Sequence, residues 1–201
     1  MAASVARIRV AILISGTGSN MAALIDASRA LDAAFEVALV ISNKPEAHGL
    51  VVARGKGVEA ICIDHRPFGK DRQAHERAID TLLTDHAVEV VVLAGYMRVL
   101  TPWLVGRWAG RMLNIHPSLL PRYPGLDTHA RAISAGDAEG GCTVHIVTDG
   151  VDEGPMLGQA RVSILPGDSP DALAERVHVA EHGLYRQVLQ AFCRDRQSER
   201  D

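Results

Sequence analysis

Short, nearly unbroken apolar runs rich in β-branched residues recur along the first half of this chain, each separated from the next by a helix-like stretch. That alternation leaves few folds open. Residues 8–14 read as a buried strand and 20–31 as the helix after it. A second strand over 35–41 precedes helical residues 47–55, and a third over 58–63 precedes a helix over 71–86. Residues 88–94 form the most β-branched run and are the best candidate for a central strand. Continuous apolar runs, in place of period-two alternation, mean strands covered on both faces, as in a parallel sheet. Strand–helix repetition then predicts an α/β fold, a Rossmann-like doubly wound and mostly parallel sheet. The second half changes character. Strands predicted over 112–115, 142–148 and 156–164 have no long helix between the last two, so the C-terminal portion of the sheet is expected to be antiparallel. A final helix is signalled by Ser169 as cap and Pro170 at its first position, with Leu173, Val177, Ala180, Leu184 and Val188 as its apolar stripe.

With 201 residues, 47% of them hydrophobic, the chain can bury one sizeable core, and a single domain over 1–201 is expected. A formal charge of -3 and scattered basic residues give no electrostatic reason to expect nucleic acid as a partner. Cys62, Cys142 and Cys193 are odd in number and widely spaced, which fits neither a disulfide framework nor a zinc ligand set. The nine histidines show no HExxH-type spacing, so no metal is expected. The apolar stretch after Arg7 and Arg9 is too short for a signal-peptide core, and no segment is long enough to span a bilayer. A soluble, cytoplasmic protein without membrane attachment is expected, as monomer or homodimer.

Three segments carry chemistry. Ser15-Gly-Thr-Gly-Ser-Asn20 joins the first strand to the first helix, where free amides and the helix dipole favour an anion. It is neither a Walker loop nor a full dinucleotide fingerprint. It suits a single phosphate or serves only as a tight turn. In Asn114-Ile-His-Pro-Ser, Pro117 holds His116 extended, so Asn114 and His116 project to one side of the backbone while Ile115 turns toward the core. Thr148-Asp-Gly-Val-Asp-Glu-Gly-Pro155 reads as an exposed turn carrying carboxylates. A carboxylate brought to His116 would favour the imidazolium. Spacing alone is equally compatible with a structural histidine and a plain turn.

Together with Val92-Leu-Ala-Gly-Tyr-Met-Arg98 and Tyr123-Pro-Gly125, these segments closely resemble the phosphoribosylglycinamide formyltransferases, in the same order from about Ile8 to about Val188. The resemblance implies a folate-dependent enzyme of de novo purine (IMP) synthesis, with 10-formyltetrahydrofolate as co-substrate and phosphoribosylglycinamide as acceptor. It implies a catalytic trio of Asn114, His116 and Asp152. It places the substrate's phosphate at Gly18, Ser19 and Asn20, and its ribose and phosphate end near His178 and Glu181. Formylfolate is expected at Arg72, at Met97, Arg98, Val99 and Leu100, at Asn114, and along Thr148, Asp149, Gly150, Val151 and Asp152. In the implied acyl transfer, Asn114 and a protonated His116 face the developing oxyanion, and Asp152 holds the charge on His116 and relays the amine's proton. The similar methionyl-tRNA formyltransferases would be expected to add a C-terminal RNA-binding domain, and the formyltetrahydrofolate hydrolases an N-terminal regulatory one. A non-catalytic phosphate-binding module is the alternative from a different class, against which the intact trio argues.

Overall fold

The computed structural model describes residues 6–200. The elements run β1 (Ile8–Ile14), α1 (Ser19–Ala27), β2 (Phe35–Ser42), α2 (His48–Gly55), β3 (Ala60–Cys62), α3 (Arg72–Asp85), β4 (Val90–Leu93), α4 (Pro102–Arg107), β5 (Met112–His116), α5 (Thr128–Ser134), β6 (Glu139–Ile146), β7 (Met156–Ser163) and α6 (Pro170–Ser198). One sheet holds all seven strands in the order β3-β2-β1-β4-β5-β6-β7. The first five in that order pair in parallel, and β6 and β7 are antiparallel to their neighbours. β4 is the central strand. The winding reverses between β1 and β4, so the loops leaving their carboxyl ends diverge and open a crevice there.

Both faces of the sheet are covered along β1, β4 and β5, which is why those strands read as continuous apolar runs. Val10, Ile12 and Ile14 of β1 join one core cluster with Leu24, Leu50, Val177 and Tyr185. Ala11 and Leu13 join the other with Ile79, Leu83, Leu104 and Trp108. Tyr185 is wholly buried, and its hydroxyl lies 3.0 Å from the Leu93 carbonyl and 3.1 Å from that of Leu113. It thereby ties α6 to the ends of β4 and β5. Among the described residues no helix is long and apolar enough to cross a membrane.

Several boundaries differ from expectation. α1 stops at Ala27 and not at residue 31, because Ser28 turns its hydroxyl back to the Ile25 carbonyl, 2.8 Å away. α4 and α5 are short helices that the periodicity does not reveal. The buried row of α6 is Leu173, Val177, Glu181, Tyr185, Leu189 and Cys193, with Ala180, Leu184 and Val188 only flanking it. The expected stripe drifts off after Val177 because the true row passes through a carboxylate, which hydropathy reads as surface.

α4 is anchored by acids of α3. Glu76 accepts from the Thr101 amide at 2.8 Å, closing the helix N-terminus. Asp80 accepts from the Trp108 indole at 2.9 Å and from Arg107 at 3.1 Å. Asp80→Ala leaves the buried indole N–H and a guanidinium without their acceptor. We expect it to lower unfolding free energy by about 2–3 kcal/mol, measured by urea denaturation.

Candidate active site

The loops after β1, β4, β5 and β6, adjacent strands of the sheet, surround a cavity of about 900 Å³. Asn114 and His116 reach it from the end of β5. Register places Asn114 opposite Leu93 of β4 and His145 of β6. Ile115, between them in sequence, is buried in the core, so strand alternation delivers both polar side chains to the cavity side as expected.

Asp152 comes to meet them. It sits in the turn between β6 and β7 with φ 57°, a left-handed conformation that aims its carboxylate inward. Its side chain is only 10% exposed, so the turn expected to display carboxylates to solvent buries this one. Oδ2 lies 3.2 Å from His116 Nδ1 and accepts from the Gly125 amide at 2.9 Å. Burial pushes the Asp152 carboxyl up, yet its pKa lies below the ordinary carboxylate value, lowered first by the neighbouring His145 ring, then by the Gly125 amide and the His116 ring. The other ring nitrogen of His116 donates to the Tyr123 carbonyl at 2.9 Å. The Tyr123 carbonyl can only accept, so Nε2 carries a hydrogen, while Nδ1 faces the Asp152 carboxylate as a charge contact.

The first turn of α1 forms another part of the wall. Gly18 precedes it with φ 75°, and a Cβ there would meet the Gly49 backbone at 3.0 Å, so only glycine lets the loop pass this close. Ser19 hydrogen-bonds His178 Nε2, and Asn20 donates to Glu181 at 2.8 Å. These two pairings unite the four polar residues that sequence placed at the phosphate and ribose end. Asn20 Oδ1 is buried and has no protein partner among the described residues. Burial raises the pKa of Glu181, against the lowering effect of the Asn20 bond. A carboxyl with a raised folded pKa loses stability as pH climbs from its unfolded value of about 4.3 through the folded one. Glu181→Gln is therefore expected to melt at a higher temperature than wild type at pH 7, with the difference shrinking toward pH 4 in thermal melts.

Met97, Arg98, Val99 and Leu100 line the cavity after β4, and Thr148, Asp149, Gly150, Val151 and Asp152 line it after β6. Met97, Val99, Leu126 and Val151 are all more than half exposed, an apolar rim around a polar centre. Arg98 is the one lysine or arginine on the described wall. Arg72 is not among the residues that line it. At the start of α3 its guanidinium donates to the Val99 carbonyl at 3.2 Å and so braces that segment. The cavity also includes Tyr96, His129 and His145, which motif reading missed. His145 is the most consequential, at 3% exposure beside Asn114 and Asp152. Its only signal in sequence is its place two residues after Thr143 on a strand leading to the Asp152 turn. The thiols of Cys142 and Cys193 are buried, and burial pushes both up to about 12, so neither is a nucleophile near neutral pH.

A buried carboxylate–imidazole pair, an amide beside it and a glycine-bearing turn at a helix N-terminus share one wall of the cavity. Residues 8–189 match the formyl transferase family, and the chain belongs to it. Phosphoribosylglycinamide formyltransferase of Escherichia coli (strain K12) is 45% identical over 184 residues, covering 92% of this chain and 86% of that protein. The Drosophila melanogaster trifunctional purine biosynthetic protein adenosine-3 is 48% identical over 185 residues, but this chain spans only 14% of its length. The crystal structure of phosphoribosylglycinamide formyltransferase from Brucella melitensis superposes with a TM-score of 0.90 at 48% identity, covering 94% of this chain and 96% of that one.

Proposed function

We propose that this chain transfers the formyl group of 10-formyltetrahydrofolate to the amine of 5-phosphoribosylglycinamide, a step of de novo purine synthesis, acting as one cytoplasmic domain on small-molecule substrates. The observation that carries the reading is the placement of Asn114, His116 and Asp152 on the same cavity wall as the α1 turn. The amine would attack the formyl carbon to give a tetrahedral intermediate, whose collapse breaks the bond to the folate nitrogen. Asn114 would donate to the oxygen that gains charge. His116 keeps its Nε2–H on the Tyr123 carbonyl and its Nδ1 edge against Asp152, so it would act through its charge and by holding Asp152 in place. Asp152 is ionised at neutral pH and would take the proton the amine releases and pass it to the leaving nitrogen.

The residues suit the substrates proposed for them. A phosphate would meet the amides of the first turn of α1 and the hydroxyl of Ser19. The orphaned Asn20 oxygen and the Glu181 carboxylate would accept from ribose hydroxyls. The rim of Met97, Val99, Leu126 and Val151 would cover a flat aromatic donor, with Arg98 available to a carboxylate. The test is the absorbance change of 10-formyltetrahydrofolate with and without phosphoribosylglycinamide. Consumption only when the amine is present is expected. Equal consumption without it would identify a hydrolase, and none in either case a binding module.

A further inference from the structure

We propose that His145 is a positioning residue that fixes which way the Asn114 amide faces, and so decides whether a donor or an acceptor meets the reacting carbonyl; this rests on the formyl-transfer reading of the cavity. The two residues are direct register partners across β5 and β6. His145 Nδ1 lies 2.9 Å from the Ile146 carbonyl. A carbonyl only accepts, so Nδ1 carries a hydrogen, and with that as the ring's single hydrogen Nε2 keeps a lone pair. That lone pair lies 3.2 Å from Asn114 Nδ2 and 3.6 Å from Asp152 Oδ1. The carboxylate is beyond hydrogen-bond length, whereas the amide nitrogen is within reach and can donate. Asp152 in turn takes its close contacts from His116 and Gly125.

The consequence for Asn114 is specific. The oxygen and nitrogen of an amide are nearly the same size, and shape alone does not distinguish the two orientations. Turning the oxygen toward His145 would set two lone pairs against each other in a buried site, where an unmatched polar contact is costly. His145 thereby engages one N–H of Asn114 and directs the other. No side chain of the described residues other than His145 hydrogen-bonds the Asn114 amide.

Two near-isosteric substitutions separate this role from simple packing. The glutamine amide reaches the position of Nε2 and can offer an oxygen to Asn114. The asparagine amide reaches only the position of Nδ1, keeping the bond to Ile146 and losing the one to Asn114. His145→Gln is expected to retain kcat within about fivefold, while His145→Asn loses on the order of 100-fold, with KM for both substrates within about threefold in each. Equal losses in both variants, no loss in either, or an effect confined to KM would overturn the proposal. Should His145→Asn fail to fold by thermal melting, the ¹⁵N chemical shifts of the wild-type ring decide. The Nδ1–H tautomer is expected, and the Nε2–H tautomer would overturn it. Amine-dependent formyl transfer by the wild type tests the function separately, and its failure would leave the tautomer measurement standing.

Discussion

Replacing Asp152 with asparagine is expected to lower kcat by on the order of 10³–10⁴-fold while KM for both substrates stays within about threefold of wild type. The carboxylate does two jobs that an amide cannot do. It supplies the counter-charge to a His116 ring whose Nδ1 lies 3.2 Å from the carboxylate and whose Nε2 donates to Tyr123 at 2.9 Å. It also accepts the proton that leaves the attacking amine. Asparagine keeps the shape and can still accept from the Gly125 amide, so the backbone of the turn has no reason to move. The loss therefore falls on chemistry and not on binding. The pH dependence follows in sign. The folded Asp152 titrates below the ordinary carboxylate value, so the ionised form persists as pH falls and is lost only on passing through that lowered value. The acid limb of kcat that belongs to this group is expected below about pH 4 in a steady-state profile. A limb near pH 6 would assign the titration to another group.

Asn114→Ala is the second large effect. Removing a donor aimed at a developing oxyanion typically costs about 3–4 kcal/mol, and kcat is expected to fall on the order of 10²–10³-fold, with KM little changed. Single-turnover kinetics would locate the loss in the chemical step. Because His145 acts through Asn114, the pair Asn114→Ala with His145→Asn is expected to lose little more than Asn114→Ala alone. Independent contributions would multiply instead.

The strands were legible because burial on both faces dictates residue type. Residues 8–14 could be read as β1 from apolar continuity alone, and the reading matches its observed bounds. α4 was not legible because its six residues carry too little periodicity and its capping acid, Glu76, lies on another helix. Asn114 and His116 were readable together since a strand and a proline fix their direction. Asp152 needed the family resemblance, because its approach to His116 depends on a left-handed backbone that nothing in Val-Asp-Glu announces. His145 was invisible for a related reason. Its partner is set by the register of β5 on β6, a property of two strands that neither sequence segment contains. Arg72, which the resemblance put at the formylfolate, stands at the start of α3 with its guanidinium on the Val99 carbonyl, a contact between segments that neither announces alone.

The central claim is that the formyl carbon moves from the folate nitrogen to the acceptor amine on this wall. Incubation with 10-[¹³C]formyltetrahydrofolate and phosphoribosylglycinamide, followed by NMR of the products, tests it directly. The account predicts the label in the N-formyl group of the glycinamide product, in equal amount to the tetrahydrofolate released, and its disappearance with Asp152→Asn. Label recovered as free formate would contradict it.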